Sequence, residues 1–271
     1  MYDGTHAFDG PLRHPALVDS HVHLDRYAED EVVGMLERGR AAGVGRVLTV
    51  GTDRASSLAA LSLAAQHEGV LAAVGIHPSR VAEVEGPEHV LWSLALLGGA
   101  AAIGEVGLDA DAPAMAEQVY FLEACLDLAD ETGLPLALHV VGPPETHELA
   151  LQVLATRAPV RAVVHYFVGD AALARRYLDV GCLVSVGKPV TRPEQRALRA
   201  AVAGIPLDRL LLETDTYPLA GRTTEPHDVV LVAAEVARLI GVDAAQVAES
   251  TSANFDRLFG RLLPHPALGH G

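Results

Sequence analysis

The sequence is poor in cysteine, in aromatic residues and in positive charge. Cys125 and Cys182 are the only cysteines among 271 residues, too few for a disulfide framework or a thiolate metal site. Lysine and arginine number 20 against 35 aspartates and glutamates, which gives a net charge of −15. This excess disfavours nonspecific adhesion to nucleic acid or to an anionic membrane. An anionic substrate would therefore have to be held by a local group of positive charges.

A long uninterrupted apolar run is also missing. The longest uncharged candidate, residues 90–104, is 15 residues long and contains Gly98 and Gly99, whereas a membrane-spanning helix needs about 20. This segment is typical of a helix end, a turn and a buried strand. Residues 1–15 lack the basic start and apolar stretch of a signal peptide. We therefore expect a cytoplasmic protein with no membrane segment and no evident obligate protein partner.

Short apolar segments rich in β-branched residues alternate with segments of helical periodicity. Eight strand candidates occupy residues 16–20, 46–51, 70–75, 101–105, 134–139, 162–165, 182–186 and 210–213. Such alternation implies right-handed βαβ units and a parallel sheet. Eight repeats without a long linker fit an α/β fold of the TIM (β/α)8 barrel type. The alternative is a doubly wound sheet, in which a glycine-rich phosphate loop would follow the first strand.

The helical segments complete the predicted organisation. They occupy residues 29–42, 56–67, 114–132, 145–156, 171–179, 193–203 and 226–240. Residues 243–263 predict extra C-terminal helices that pack on the outside of the barrel. The chain is thus divided into an N-terminal extension (1–15), a single barrel domain (16–263) and a flexible C-terminal tail (264–271).

Histidines and carboxylates collect at or just beyond the carboxyl ends of the predicted strands. Of the 13 histidines, those at such places are His21, His23, His77, His139 and His165, joined by the carboxylates Glu105 and Asp215. Active sites of barrels lie at this end because the loops converge there above a packed core. A single histidine or acidic residue after a strand is usually structural. Their joint placement instead indicates a metal site of metal-dependent hydrolase type.

The spacing indicates how the first ion would be held. Residues two apart on a strand point to the same side, so His21 and His23 can bind one cation, with Asp19 on that side. Asp215 follows the eighth strand, which lies beside the first in a closed barrel. It therefore completes the ring of ligands near His21 and His23.

A second ion is expected beside the first. His139 and His165 end the fifth and sixth strands, and Glu105 on the fourth strand lies between the two groups as a bridge. Imidazole ligands favour Zn, Mn, Fe, Co or Ni over the all-oxygen shells preferred by Mg and Ca, and Mg stays among the candidate ions. Two divalent ions with two carboxylates leave a local surplus of positive charge that suits an anionic substrate.

These residues lie in motifs that resemble those of the TatD family of metal-dependent hydrolases, within the amidohydrolase superfamily. The motifs follow the family's order over residues 17–260: DSHVHLD (19–25), VGIHP (74–78), IGEVGLD (103–109), LH (138–139), HYFVG (165–169), ETDT (213–216), and Asn254 with LF (258–259). A glutamate on the fourth strand separates this family from relatives that use a carboxylated lysine as the bridge. The resemblance implies a TIM barrel that hydrolyses DNA phosphodiesters, often from the 3′ end.

The resemblance also implies roles for individual residues. The first ion is assigned to His21, His23, Glu105 and Asp215, and the second to Glu105, His139 and His165. Asp215 is expected to orient the attacking water and to accept its proton, beside the bridging Glu105. Glu213, two residues earlier, would fix a histidine tautomer or the Asp215 loop, and His77 would contact a substrate oxygen.

Two places depart from the family's pattern and remove expected phosphate contacts. Residues 110–113 (ADAP) stand where an aromatic residue and an arginine are common, and Val141 stands where an arginine commonly follows the fifth strand. Lys188 and Arg192, after the seventh strand, and Arg222, after the eighth, are the cations that could replace them. We predict these three as substrate contacts.

Several functions compete on this evidence. A 3′-end deoxyribonuclease is favoured by the motifs, whereas the missing arginines favour hydrolysis of a small ester, lactone or amide, and aminoacyl-tRNA is a further candidate substrate. A cysteine nucleophile is disfavoured because Cys125 and Cys182 are expected in the core. The non-enzymatic alternative is a metal-stabilised binding module, which metal-dependent hydrolysis of a phosphodiester would exclude.

Overall fold

Eight parallel strands follow one another in chain order in the computed structural model, which describes residues 17–221 and 224–260. The strands are β1 Leu17–Val22, β2 Val44–Val50, β3 Val70–Val74, β4 Ala100–Asp109, β5 Leu136–Val141, β6 Ala162–Val164, β7 Leu183–Val186 and β8 Leu210–Leu212. The chain after β8 returns to β1, where Val22 bridges Thr216 and the His23 amide donates to the Thr216 carbonyl at 2.8 Å. The predicted TIM barrel is thereby confirmed.

A helix follows each strand on the outside of the barrel. These helices are α1 Glu29–Ala41, α2 Arg54–Gln66, α3 Pro87–Leu96, α4 Met115–Thr132, α5 Pro144–Ala155, α6 Ala171–Asp179, α7 Arg196–Gly204 and α8 Val229–Ile240, and α9 Ala244–Phe259 comes last. Asp53 begins α2 by accepting a hydrogen bond from the Ser56 amide at 2.8 Å. At Gly133 the backbone turns left-handed and α4 ends. Local sequence signals therefore set several helix boundaries.

Three strands extend further than their apolar runs predict. β1, β4 and β5 end at Val22, Asp109 and Val141, beyond their predicted ends at residues 20, 105 and 139, so that His21, Glu105 and His139 lie inside strands. Residues 106–109 of β4 pair with residues 138–141 of β5. Gly107 permits this close pairing, because a Cβ atom there would overlap the His139 carbonyl and its φ is +145°. The predicted runs stop at the polar residues Ser20, Glu105 and His139, whereas the ladder hydrogen bonds are made by the backbone and continue past them.

The sequence predicted that the whole C-terminal segment packs on the outside, but only the first half of α9 does so, through Val247 and Ala248. The carboxyl end of α9 corrects that expectation. Phe255, Leu258 and Phe259 of α9 are buried among the residues that fill the barrel interior, such as Val18 and Leu211. The Arg161 guanidinium, at the start of β6, donates to the Leu258 carbonyl at 2.8 Å. The end of α9 therefore closes the amino-terminal end of the barrel.

Two apolar layers surround the sheet. One lies between the strands and the outer helices, and the second fills the barrel and includes the end of α9. No helix in the described ranges is both long enough and apolar enough to cross a membrane. The predicted extension (1–15) and tail (264–271) lie outside the described residues, so these boundaries stay predictions.

Candidate metal centre

Five imidazoles lie within 4 Å of the Glu105 carboxylate at the carboxyl end of the barrel, and four of them form two pairs. One oxygen, Oε2, lies 3.7 Å from His21 Nε2 and 3.6 Å from His23 Nε2. The other oxygen, Oε1, lies 2.7 Å from His139 Nδ1 and 2.9 Å from His165 Nε2. Glu105 thus presents one oxygen to each histidine pair, as a bridging ligand would.

The first histidine pair is oriented by the neighbouring strand and by the loop after β8. His23 Nδ1 lies 2.9 Å from the Val50 carbonyl, so this nitrogen donates to that carbonyl and Nε2 faces the centre. His23 Nε2 faces Asp215 Oδ1 at 3.6 Å. Asp215 has a left-handed backbone, with φ of +51°, and its amide donates to the His21 carbonyl at 3.0 Å. The loop therefore holds the Asp215 carboxylate beside His23.

His21 is the least satisfied of these side chains. It is fully buried, yet neither ring nitrogen has a hydrogen-bond partner. Its ring stacks on His165 with centroids 3.9 Å apart. Burial lowers the pKa of His21, which keeps a nitrogen lone pair available. An unpaired buried nitrogen costs about 1–3 kcal/mol, and a bound cation would remove that cost.

Carboxylates also face the outer edges of the second histidine pair. Glu213 Oε1 lies 3.7 Å from His165 Nδ1 and also accepts a hydrogen bond from the Tyr166 amide. Asp109 Oδ2 lies 3.7 Å from His139 Nε2. The sequence anticipated Glu213 but gave Asp109 no role. The sequence did contain a signal for Asp109. It lies four residues after Glu105 on one strand, and this spacing places both side chains on the same side of that strand.

The charge of the centre is set by its histidines. Burial alone would raise the pKa of Glu105, but the surrounding imidazoles, led by His165, hold it well below its usual range. Burial likewise opposes ionisation of Asp215, but the facing His23 imidazole and the charges of His21 and His165 lower its pKa. Both carboxylates are therefore ionised near neutral pH, in the form that binds a cation.

Asp19 lies outside this arrangement of ligands. Its carboxylate accepts hydrogen bonds from the Thr214 amide at 3.0 Å and from the Thr214 hydroxyl at 2.6 Å. Burial raises the pKa of Asp19 well above its usual value. Its contacts fix the segment that contains Glu213 and Asp215.

Four groups of three donors among the described residues lie close enough together to hold a metal ion. His21, His23 and Glu105 each offer an atom within 4.8 Å of the others, and so do Glu105, His139 and His165. The other two groups are His77 with Asp109 and His139, and His21 with His165 and Glu213. Imidazole and carboxylate donors with unpaired buried nitrogens fit divalent transition ions.

The centre opens into a cleft of about 1080 Å³ with two chemically different walls. We call one the arginine wall; it follows β1, β2 and β3 and consists of Arg26, Thr52, His77, Ser79 and Arg80. We call the other the apolar wall; it follows β5 and β6 and consists of Val141, Val168 and Leu173. Arg176 on α6 lines the same side as the apolar wall. These three arginines were not singled out from the sequence.

Two of the three cations predicted as substrate contacts, Lys188 and Arg192, lie outside the lining of the cleft. The Lys188 ammonium binds Asp228 at 2.8 Å and Thr224 at 3.3 Å. Neither Lys188 nor Arg192 is among the described residues that line the cleft, and Arg222 lies outside the described part of the chain. Lys188 is turned away because an acidic side chain of the 3-10 turn Pro226–Asp228 neutralises it.

The cysteines have the core positions expected of them. Cys125 and Cys182 are both free thiols with no exposed surface. Burial raises the pKa of Cys125 well above its usual value and that of Cys182 to about 12. Neither thiol is positioned or ionised to act as a nucleophile.

Comparison with known proteins gives a consistent set of similarities. Residues 18–260 match the family described as TatD related DNase. A metal-dependent hydrolase of Mycobacterium tuberculosis named TatD is 34% identical over 90% of this chain and 98% of its own. The 3′-5′ ssDNA/RNA exonuclease TatD of Erwinia tasmaniensis is 34% identical over 83% of this chain and 92% of its own. The crystal structure of the Escherichia coli TatD homologue YjjV superposes with a TM-score of 0.81 at 29% identity, covering 92% of this chain and 98% of that one.

Proposed function

Because the chain belongs to the TatD family of metal-dependent hydrolases, we propose that it hydrolyses phosphodiester bonds at the 3′ end of single-stranded DNA. A relative named as a 3′-5′ ssDNA/RNA exonuclease aligns over most of the chain and supports this substrate class. The observation that carries the proposal is the division of the Glu105 carboxylate between two histidine pairs. Such a division suits two ions that act on one phosphoryl group.

The residues present would hold two divalent ions. His21, His23, Glu105 and Asp215 would bind the first ion, and Glu105, His139 and His165 the second. When bound, such ions supply Lewis acidity to a phosphoryl oxygen and to the attacking water. The mixture of imidazole and carboxylate donors favours Zn, Mn, Fe, Co or Ni, and Mg is retained as a candidate.

Asp215 is the proposed proton acceptor. Its carboxylate is ionised and lies at the rim of the centre, where it lines the cleft. It would take a proton from the attacking water on a carboxylate oxygen and pass it to the leaving oxygen of the substrate. The left-handed backbone at Asp215 holds the carboxylate in this place.

His77 is the proposed hydrogen-bond donor to the substrate. The Ser79 amide donates to His77 Nδ1 at 3.2 Å, which places the ring proton on Nε2. Nε2 lies 3.6 Å from Glu105 Oε1, at the edge of the centre. Burial lowers the pKa of His77 to about 4, so the ring stays neutral and donates one hydrogen bond to a phosphate oxygen.

A second candidate function is hydrolysis of a small ester, lactone or amide. The apolar wall favours it, because Val141 and Val168 are 42% and 53% exposed beside the centre. A nucleobase at the end of a DNA strand would also pack on an apolar surface. The apolar wall therefore suits both DNA and a small ester, lactone or amide. Aminoacyl-tRNA would combine a nucleic acid with a carboxylic ester in one substrate.

The test compares substrates under one set of conditions. Purified protein in added Mn, Zn or Mg is incubated with 3′- or 5′-labelled single-stranded DNA and with carboxylic esters, and Asp215→Asn is the matched control. The proposal expects shortening of the DNA from its 3′ end by the wild type, and none by Asp215→Asn. Cleavage of the esters without cleavage of DNA would replace the proposal by the second candidate.

A further inference from the structure

Two arginines of the arginine wall occupy equivalent places after two of the site histidines. Arg26 ends the 3-10 turn Leu24–Arg26, and its amide donates to the His23 carbonyl at 3.2 Å. Arg80 lies in the 3-10 turn Pro78–Glu83, and its amide donates to the His77 carbonyl at 2.8 Å. Each arginine is therefore tied through its backbone to a residue of the metal centre.

The segment after β2 joins these two turns. Arg26 Nη2 donates to the Thr52 hydroxyl at 3.2 Å, while the Thr52 carbonyl accepts from the His77 amide at 2.9 Å. Burial alone would raise the pKa of Asp53, but hydrogen bonds at the start of α2 and the charges of Arg80 and Arg26 lower it. The two turns therefore contact the same segment, which places both arginines on one side of the cleft.

Neither the Arg26 nor the Arg80 guanidinium has all of its N–H donors engaged by protein groups. The side chains of Arg26 and Arg80 are both 47% exposed. Arg26 Nε lies 3.4 Å from Asp25, and Arg80 Nη1 lies 3.2 Å from Glu83. Because a guanidinium carries five N–H donors, each arginine keeps donors for a ligand in the cleft.

We propose that Arg26 and Arg80 bind the phosphate group that flanks the hydrolysed phosphodiester, so that the substrate backbone follows the arginine wall. This inference rests on the proposed function and narrows its substrate to chains with at least two phosphates. Guanidinium groups bind phosphate oxygens in pairs of parallel hydrogen bonds. In a chain with a net charge of −15, such a local group is needed to hold an anion. The apolar wall then faces the base.

Arg176 provides the comparison within the same cleft. It lies on α6, on the side of the apolar wall, and its side chain is 48% exposed. Its guanidinium pairs with Glu148 at 2.5 Å. An effect specific to Arg26 and Arg80 is therefore distinguishable from a general loss of positive charge around the cleft.

The experiment measures KM for two phosphodiesters with different numbers of phosphates. Arg26→Ala, Arg80→Ala, the double variant and Arg176→Ala are assayed on a labelled single-stranded oligonucleotide and on bis(p-nitrophenyl) phosphate. Each arginine is expected to contribute roughly tenfold to KM for the oligonucleotide, as charged hydrogen bonds do. We expect the double variant to raise this KM at least about tenfold more than it raises KM for the small diester. Arg238→Ala, in an exposed pair with Glu235 on α8, is the control outside the cleft.

A binding measurement supplies a readout that needs no turnover. Fluorescence anisotropy of the labelled oligonucleotide, with chelator present, is followed against salt concentration. Loss of two phosphate contacts should flatten the slope of log K against log salt by about 1.4, since each contact on a single strand contributes about 0.7. The Arg238→Ala slope should equal that of the wild type.

Several results would overturn the inference. Equal rises in KM for the two substrates would mean that the arginines act on the reacting group or on folding. An Arg176→Ala effect as large as that of the double variant, or an unchanged salt slope, would mean that this wall holds no phosphate. If the wild type hydrolyses neither diester, the proposed function fails, and the salt slope still decides whether the arginines bind the strand.

Discussion

The two ends of the barrel differ in how their buried groups are paired within the chain. At the amino-terminal end, α9 inserts Phe255 and Phe259 into the interior, and the Asn254 amide donates to the Leu207 and Leu210 carbonyls at 2.9 and 2.8 Å. At the carboxyl end, buried polar atoms lack partners. Six of the eight such atoms found among the described residues lie there, including both nitrogens of His21. Groups of the chain itself fill and hydrogen-bond the amino-terminal end, whereas the carboxyl end has unpaired polar atoms that fit external ligands.

This contrast separates stability from chemistry. Filling the amino-terminal end stabilises the fold without creating any reactive group. The carboxyl end keeps unpaired imidazole nitrogens, whose cost the rest of the barrel must offset. Substitutions at the two ends should therefore change different measured quantities, and each prediction below tests that separation.

The largest effect is expected from Asp215→Asn. The amide keeps an oxygen toward the first ion but accepts no proton, so turnover should fall by about 10²–10⁴-fold, as for other acid–base groups. Metal content and thermal stability should stay close to those of the wild type. Single-turnover rates and metal analysis on the same preparation check this. A fully active variant would remove Asp215 from proton transfer and leave Glu213 as the next candidate.

At the other end, Phe255→Ala should change stability rather than chemistry. Phe255 is 1% exposed, contacts Phe259 with ring centroids 5.0 Å apart, and packs with Arg46 over its face. Its truncation should lower the free energy of unfolding by about 3–5 kcal/mol. Urea titration measures the loss, and Phe255→Leu is the milder matched variant. Reduced metal content in a variant of unchanged stability would contradict the separation of the two ends.

Asn254→Ala tests the same end through hydrogen bonds. Its loss leaves two carbonyls near the start of β8 without their donor, at a cost of about 1–3 kcal/mol. The kcat per bound metal should not change. Asn254→Asp, which keeps the size but not the amide donor, should show a loss of similar kind in the same urea titration.

The smallest effect is expected from Lys188→Met and Arg192→Ala. The Lys188 ammonium is bound to Asp228, and neither residue lines the cleft. KM for single-stranded DNA should stay within about twofold of the wild type, because an exposed or already paired charge contributes little. A tenfold rise for either variant would restore it as a substrate contact and weaken the assignment to the arginine wall.

The sequence was sufficient for the barrel and for where its candidate ligands lie, because apolar runs and alternation carry that information directly. It underestimated the carboxyl ends of β4 and β5, because Glu105 and His139 interrupt the apolar runs whereas the backbone pairing continues past them to Asp109 and Val141. It also placed the whole of α9 on the outside of the barrel. An apolar helix face does not reveal whether it covers the outer layer or the barrel interior. The arginine wall was missed because Arg26 and Arg80 are far apart in sequence. They lie on one side of the cleft only because both of their turns contact the segment after β2.

The most direct test of the metal centre is the number of ions bound per chain by the wild type and by Glu105→Gln. After saturation with Mn or Zn and removal of free metal, elemental analysis should find two ions in the wild type. Gln offers one oxygen and one amide nitrogen that does not ligate, so the variant should retain at most one ion while circular dichroism shows a folded barrel. A folded Glu105→Gln protein with as many ions as the wild type, or a wild type with none, would contradict the bridging role of Glu105.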